Sequence, residues 1–94
     1  GGGFYENMPR CLKPGLSMKI EKAAVRTPAI FRLLAETGNV PERDLYNTFN
    51  MGVGMSIVVA REDADRALNV LRAAGEDAYV LGELTASGEG VILC

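Results

Sequence analysis

The run Tyr46-Asn47-Thr48-Phe49-Asn50-Met51-Gly52-Val53-Gly54-Met55 sets hydroxyl and amide side chains and two glycines ahead of an apolar segment, Ile57-Val58-Val59-Ala60. Strand packing requires none of Thr48, Asn50, Gly52 or Gly54. Glycine weakens a strand interior and marks a bulge, or a place where a ligand or another backbone comes close. In extended form Thr48 and Asn50 project to one side, with Phe49 and Met51 opposite. One face then offers a hydroxyl and an amide to a polar ligand, Gly52 and Gly54 keep that face low, and the other face anchors in the core. The same residues can equally form an Asn/Gly bulge that simply starts the strand. A dinucleotide fingerprint runs strand, glycines, helix, and here the glycines come first, which excludes it.

A second glycine group, Gly1-Gly2-Gly3, precedes a short helical stretch with Asn7 before Pro9-Arg10. Amides at a helix start can hold phosphate, and glycines let an anion reach the backbone; a linker remnant has the same composition. Glu62-Asp63-Ala64-Asp65 looks like a metal site but reads as charge at a helix N-terminus. The chain has no histidine, so the commonest general base near neutral pH is absent. Cys11 and Cys94 have no CxxC spacing and are too few for a closed zinc site. Reduced thiols and a cytoplasmic setting are the expectation.

The elements that must position these residues fit in 94 residues, one small domain or part of a larger one. Hydrophobic residues make up 48% and charged residues 23%, a globular composition rather than a disordered tail. No apolar run approaches the roughly 20 residues of a membrane helix. A net charge of −2 argues against a nucleic-acid partner. The first 33 residues carry six Lys/Arg against two acids, and the remainder four against ten, so the front of the chain is the basic half.

Leu16, Met18 and Ile20 alternate with Ser17, Lys19 and Glu21, a strand with one wet face. Thr27 as N-cap and Pro28 at the first helical position open a helix whose buried stripe is Ile30, Phe31 and Leu34, and Gly38-Asn39 stops it. Pro41 opens a shorter helix with Leu45, Tyr46 and Phe49 inward. Residues 55–60 read as the central strand. Ala64, Ala67, Leu68, Leu71 and Ala74 give the next helix its stripe, closed by Gly75. Residues 78–86 then form a strand with Tyr79 along the sheet, which Ser87-Gly88-Glu89-Gly90 turns into a hairpin with Val91-Ile92-Leu93. The order implies an α/β (α+β-like) fold, a mixed β-sheet with helices packed on it. Two or three further strands are expected upstream.

Several of these stretches resemble one family closely. Gly1-Gly2-Gly3-Phe4-Tyr5-Glu6-Asn7-Met8-Pro9-Arg10 and Thr48-Phe49-Asn50-Met51-Gly52-Val53-Gly54-Met55 are similar to the phosphoribosylformylglycinamidine cyclo-ligases, also called AIR synthetases. Pro28-Ala29-Ile30-Phe31, Gly38-Asn39-Val40 and Ala73-Ala74-Gly75-Glu76-Asp77-Ala78-Tyr79-Val80-Leu81-Gly82-Glu83 share the likeness. It spans nearly all of residues 1–94 and corresponds to the C-terminal part of that family's second domain. The glycine triplet is then native.

The resemblance implies the ATP-dependent ring closure of formylglycinamidine ribonucleotide in purine biosynthesis, by a homodimer that uses magnesium. It implies that ATP and magnesium belong to an N-terminal domain absent from this chain, that this chain alone binds neither, and that it is inactive by itself. The expected substrate-binding residues are Gly1, Gly2, Gly3, Asn7, Thr48, Asn50, Gly52 and Gly54, with no catalytic residue and no metal ligand among them. Other readings are a stand-alone small-molecule-sensing or interaction module, or another member of the same ATP-dependent superfamily. Neither nucleic acid nor a membrane is expected as a partner.

Overall fold

In a computed structural model describing residues Gly1–Cys94, the alternation around Met18 and Ile20 produces β1 (Ser17–Ile20), which occupies the middle of a three-stranded sheet. β2 (Gly82–Thr85) pairs antiparallel with one edge of β1, Ser17 opposite Thr85 and Ile20 opposite Gly82. β3 (Gly90–Leu93) pairs parallel with the other edge, Ser17 opposite Gly90 and Ile20 opposite Leu93. The mixed sheet agrees with the sequence reading. The hairpin does not, because β2 and β3 never touch each other and β1 lies between them.

Ser17 accounts for that difference. It belongs to the expected wet face yet is fully buried. Its hydroxyl lies 2.5 Å from Ser87 Oγ and accepts the Glu89 N–H at 2.6 Å. The connection from β2 to β3 therefore crosses the end of β1 and is fastened there by a strand side chain. A buried hydroxyl needs partners, and the crossover supplies them.

Four helices accompany the sheet: α1 (Gly3–Asn7), α2 (Ala29–Gly38), α3 (Glu42–Thr48) and α4 (Ala64–Ala73). After α1 the chain continues through Pro9 as a tighter turn, Met8–Cys11. Pro28, not Thr27, is the N-cap of α2, and Asn39 ends that helix in the left-handed conformation with φ 50°. Carboxylates precede and open α4, at Glu62, Asp63 and Asp65. No helix is long and apolar enough to cross a membrane.

The core lies where α1 and α3 meet the sheet. Phe4, Met8, Met18, Ile20, Val25, Leu45, Tyr46 and Met51 form one buried cluster, and the Phe4 and Tyr46 rings meet edge-on at 5.2 Å. Of the stripe expected on α2 only Phe31 reaches this cluster; Ile30 and Leu34 are exposed.

Residues 55–60 do not form the central strand. They have no regular structure, and Met55 and Ile57 are 82% and 58% exposed. A strand exists only where a neighbour takes its backbone hydrogen bonds, and both edges of the central strand β1 are already taken by β2 and β3. α4 shows its apolar side half-covered, with Val70 in solvent. Tyr79 packs on Arg26 rather than along the sheet: the guanidinium sits 4.4 Å from the ring centroid, and the Arg26 N–H donates to Tyr79 Oη at 3.1 Å. Arg26 also pairs with Asp77.

Candidate functional site

α1 and α3 approach closely because Gly3 has no side chain. Its φ is +55°, and a Cβ there would stand 2.2 Å from the Tyr46 carbonyl oxygen and 2.7 Å from that of Phe49. This approach lays the first turn of α1 beside the end of α3. The chain leaves α3 extended at Phe49 (φ −108°, ψ 157°), which donates its N–H to Leu45 O at 2.8 Å.

It then turns sharply. Val53 N–H donates to Asn50 O at 2.9 Å, and Asn50 Oδ1 accepts the Gly52 N–H at 2.8 Å. That pairing of an asparagine side chain with a backbone two residues on is what makes asparagine a turn residue. Both central residues have positive φ, Met51 at 53° and Gly52 at 94°. A methionine there costs free energy, and burial of the Met51 side chain in the core offsets the cost.

Between these two segments lies a cleft of about 530 Å³, lined also by Phe31 of α2. That volume suits a small-molecule ligand. Gly1, Gly3, Asn7, Thr48, Asn50 and Gly54 all line it. Two residues that are 40 or more positions apart in sequence, Asn7 and Asn50, thus face one space. Gly2 and Gly52 are not in the lining. Gly2 precedes α1 with φ 101°, and Gly52 is held against Pro28, whose Cδ would lie 2.4 Å from an added Cβ. Gly54, like Gly1 across the cleft, has open space where a side chain would stand.

The alternation expected from residue 48 onward holds in exposure: Thr48, Asn50, Gly52 and Gly54 are exposed, while Phe49 and Val53 are half-buried and Met51 is buried. It arises from a turn instead of a strand. Asn7 has a supporting part as well, since its Nδ2 donates to both Gly1 O and Gly3 O at 3.0 Å. Its Oδ1 remains as an acceptor. Thr48 is exposed at the mouth and Asn50 keeps its Nδ2 protons for a ligand, its Oδ1 being engaged in the turn.

Phe31, Phe49 and Ser56 also line the cleft, and sequence reasoning passed over them as site residues. Ser56 carried a signal, a lone hydroxyl inside an apolar run. Phe31 carried none, because its position depends on how α2 packs. No side chain among the thirteen lining residues is charged, so the cleft can bind and orient but cannot move a proton with a side chain. The perturbed titrating groups sit apart from the lining. Burial, and secondarily the Glu42 charge, raise the Tyr46 phenol above its usual range. Lys22 is raised by its 2.9 Å hydrogen bond to Glu42.

A profile of the family described as "AIR synthase related protein, C-terminal domain" matches residues 1–94. The chain belongs to that family. It is 48% identical over 94 residues to a phosphoribosylformylglycinamidine cyclo-ligase of Lachnospira eligens, covering 100% of this chain and 28% of the relative. The protein of the same name from Lachnoclostridium phytofermentans is 46% identical over the same 94 residues, again 28% of its length. That of Thermoanaerobacter sp. is 47% identical over 93 residues, 99% of this chain and 28% of the relative. The chain thus spans just over a quarter of the length of the curated relatives it matches, and the fold agrees with an α+β domain of this family.

Proposed function

We propose that this chain supplies the ribonucleotide-side surface of a phosphoribosylformylglycinamidine cyclo-ligase, an ATP-dependent ligase of purine biosynthesis. The observation that carries the proposal is the neutral cleft into which six of the eight substrate-binding candidates converge, in a chain 48% identical to a cyclo-ligase. Thr48 Oγ1 and Asn50 Nδ2 donate to ribose or formylglycinamidine oxygens. The backbone of Gly1 and Gly3 lies against the phosphate or ribose, braced by Asn7. Gly54 leaves the room.

The work of these groups is positioning. Holding a reacting amide and the attacking nitrogen in one geometry removes orientational freedom that a reaction in water must lose at its barrier. Magnesium does not fit the residues here. The cleft has no carboxylate, and nowhere do three His, Cys, Asp or Glu residues gather as metal ligands. ATP and magnesium, with the chemistry they supply, are assigned to the remainder of a longer protein, and the chain alone is expected to be inactive. A homodimer and a cytoplasmic location belong to the same proposal.

The test is Asn50→Ala in the full-length enzyme. The expected result is a KM for the ribonucleotide raised about tenfold, or kcat lowered to a similar degree, the scale of one lost charge-free hydrogen bond and its alignment. Because Asn50 also braces the 50–53 turn, thermal unfolding is measured alongside. Unchanged kinetics in a folded variant would remove Asn50 from the site.

A further inference from the structure

Phe31 and Phe49 come from different elements and meet at a ring-centroid distance of 5.9 Å with their planes tilted by 60°. Both are half-buried, both rest on the rim of the core, and both line the cleft. Thr48 and Asn50, the residues with free polar groups, bracket Phe49 in sequence and share its cleft. Two phenyl rings give little to a sugar phosphate, which is strongly hydrated and carries no π face. They give a great deal to a flat conjugated group. With the rings tilted by 60°, a plane stacked on one ring meets the edge of the other, the two arrangements aromatic pairs favour.

The geometry points to Phe31 and Phe49 as the specificity wall of this site, the surface that recognises the planar amidine or imidazole half of the ligand and leaves the ribose phosphate to the amides. The assignment rests on the ribonucleotide reading above and adds the residues that tell a nucleotide with a flat base from a bare sugar phosphate.

Calorimetric titration of the full-length enzyme with two probes tests it: aminoimidazole ribonucleotide, which carries the flat ring, and ribose 5-phosphate, which does not. Phe31→Leu and Phe49→Leu keep apolar volume and lose the π face. Each is expected to weaken the ring-bearing probe about tenfold, as base–aromatic contacts do, while ribose 5-phosphate stays within about twofold. Phe31→Tyr, which keeps the face, is expected to bind both probes like the wild type, and Phe49→Leu carries the test should Phe31→Leu not fold. Equal weakening of both probes, or no weakening of either, overturns the wall while the ribonucleotide reading stands. A wild-type enzyme that binds neither probe overturns that reading and the wall with it.

Discussion

Residues 3–51 and residues 53–80 contain similar apolar side chains and meet opposite fates. Every buried residue lies in the first stretch, from Gly3 to Met51. The second has none, although it holds Ile57-Val58-Val59 and the apolar side of α4. The two are joined by exposed polar contacts, Arg26 with Asp77 and Tyr79, while Arg61–Glu83 at 2.8 Å ties the second stretch to β2. Exposed ion pairs contribute at most about 1 kcal/mol each. The lesson is that hydrophobicity states what a segment needs, and burial depends on which surfaces are within reach. β1 has two strand neighbours and the core cluster packed on it; residues 53–80 have exposed charge pairs.

The sharpest way to break this comparison is to truncate one ring or branch in each region. Phe4→Ala, at a side chain 1% exposed, is expected to cost about 3–5 kcal/mol in chemical denaturation. Ile57→Ala is expected to change stability by less than about 0.5 kcal/mol. A loss at Ile57 as large as at Phe4 would mean that residues 53–80 are covered in solution. Two glycines sharpen the contrast at the cleft itself. Gly3→Ala forces a Cβ into the α3 backbone at a positive φ and is expected to cost about 2 kcal/mol or more. Gly54→Ala meets nothing within 4 Å and is expected to leave the unfolding midpoint unchanged while lowering ligand affinity. Equal midpoints for both variants would separate α1 from α3 in solution.

The smallest effect is a pH slope. The Tyr46 phenol is raised by burial, so the folded state keeps its proton at pH values where the unfolded chain has lost it. The stabilisation from this shift is fully present below the unfolded value near 10 and is lost as pH rises through the higher folded value. Tyr46→Phe is expected to flatten the alkaline limb of a stability curve and to leave it unaltered near pH 7. An unchanged alkaline limb would assign that loss to other groups, such as Lys22.

The first region was the more legible in sequence, for a physical reason. Alternation at Met18 and Ile20, the proline starts of α2 and α3, and the Asn39 stop are local signals, and local rules decided them. The inward set Leu45, Tyr46 and Phe49 followed from helical spacing. The errors fell where partners decide: residues 55–60 had the composition of a central strand without a strand beside them, and Ser17 had polar chemistry but a place under the crossover. At the site, exposure of Thr48 and Asn50 was legible from period two. The place of Phe31 in the cleft lining was not, because no short-range rule sets how α2 meets the residue after α3. The place of Gly52 against Pro28, outside the lining, was not legible either, since that approach is also long-range.

The Ser17 fastening has a consequence for how the chain reaches this shape. Its partner Ser87 is 70 residues away, and Cys94 bonds back to Ile20 across 74. Contacts so distant along the chain form slowly, because the loop must close before anything rewards the closure. During synthesis β1 emerges before either of its partners, and both its edges stay open until residues 82–93 follow. Protection of the β1 amides in stalled nascent chains is expected only once residues 82–93 have emerged; protection in shorter chains would give β1 an earlier companion.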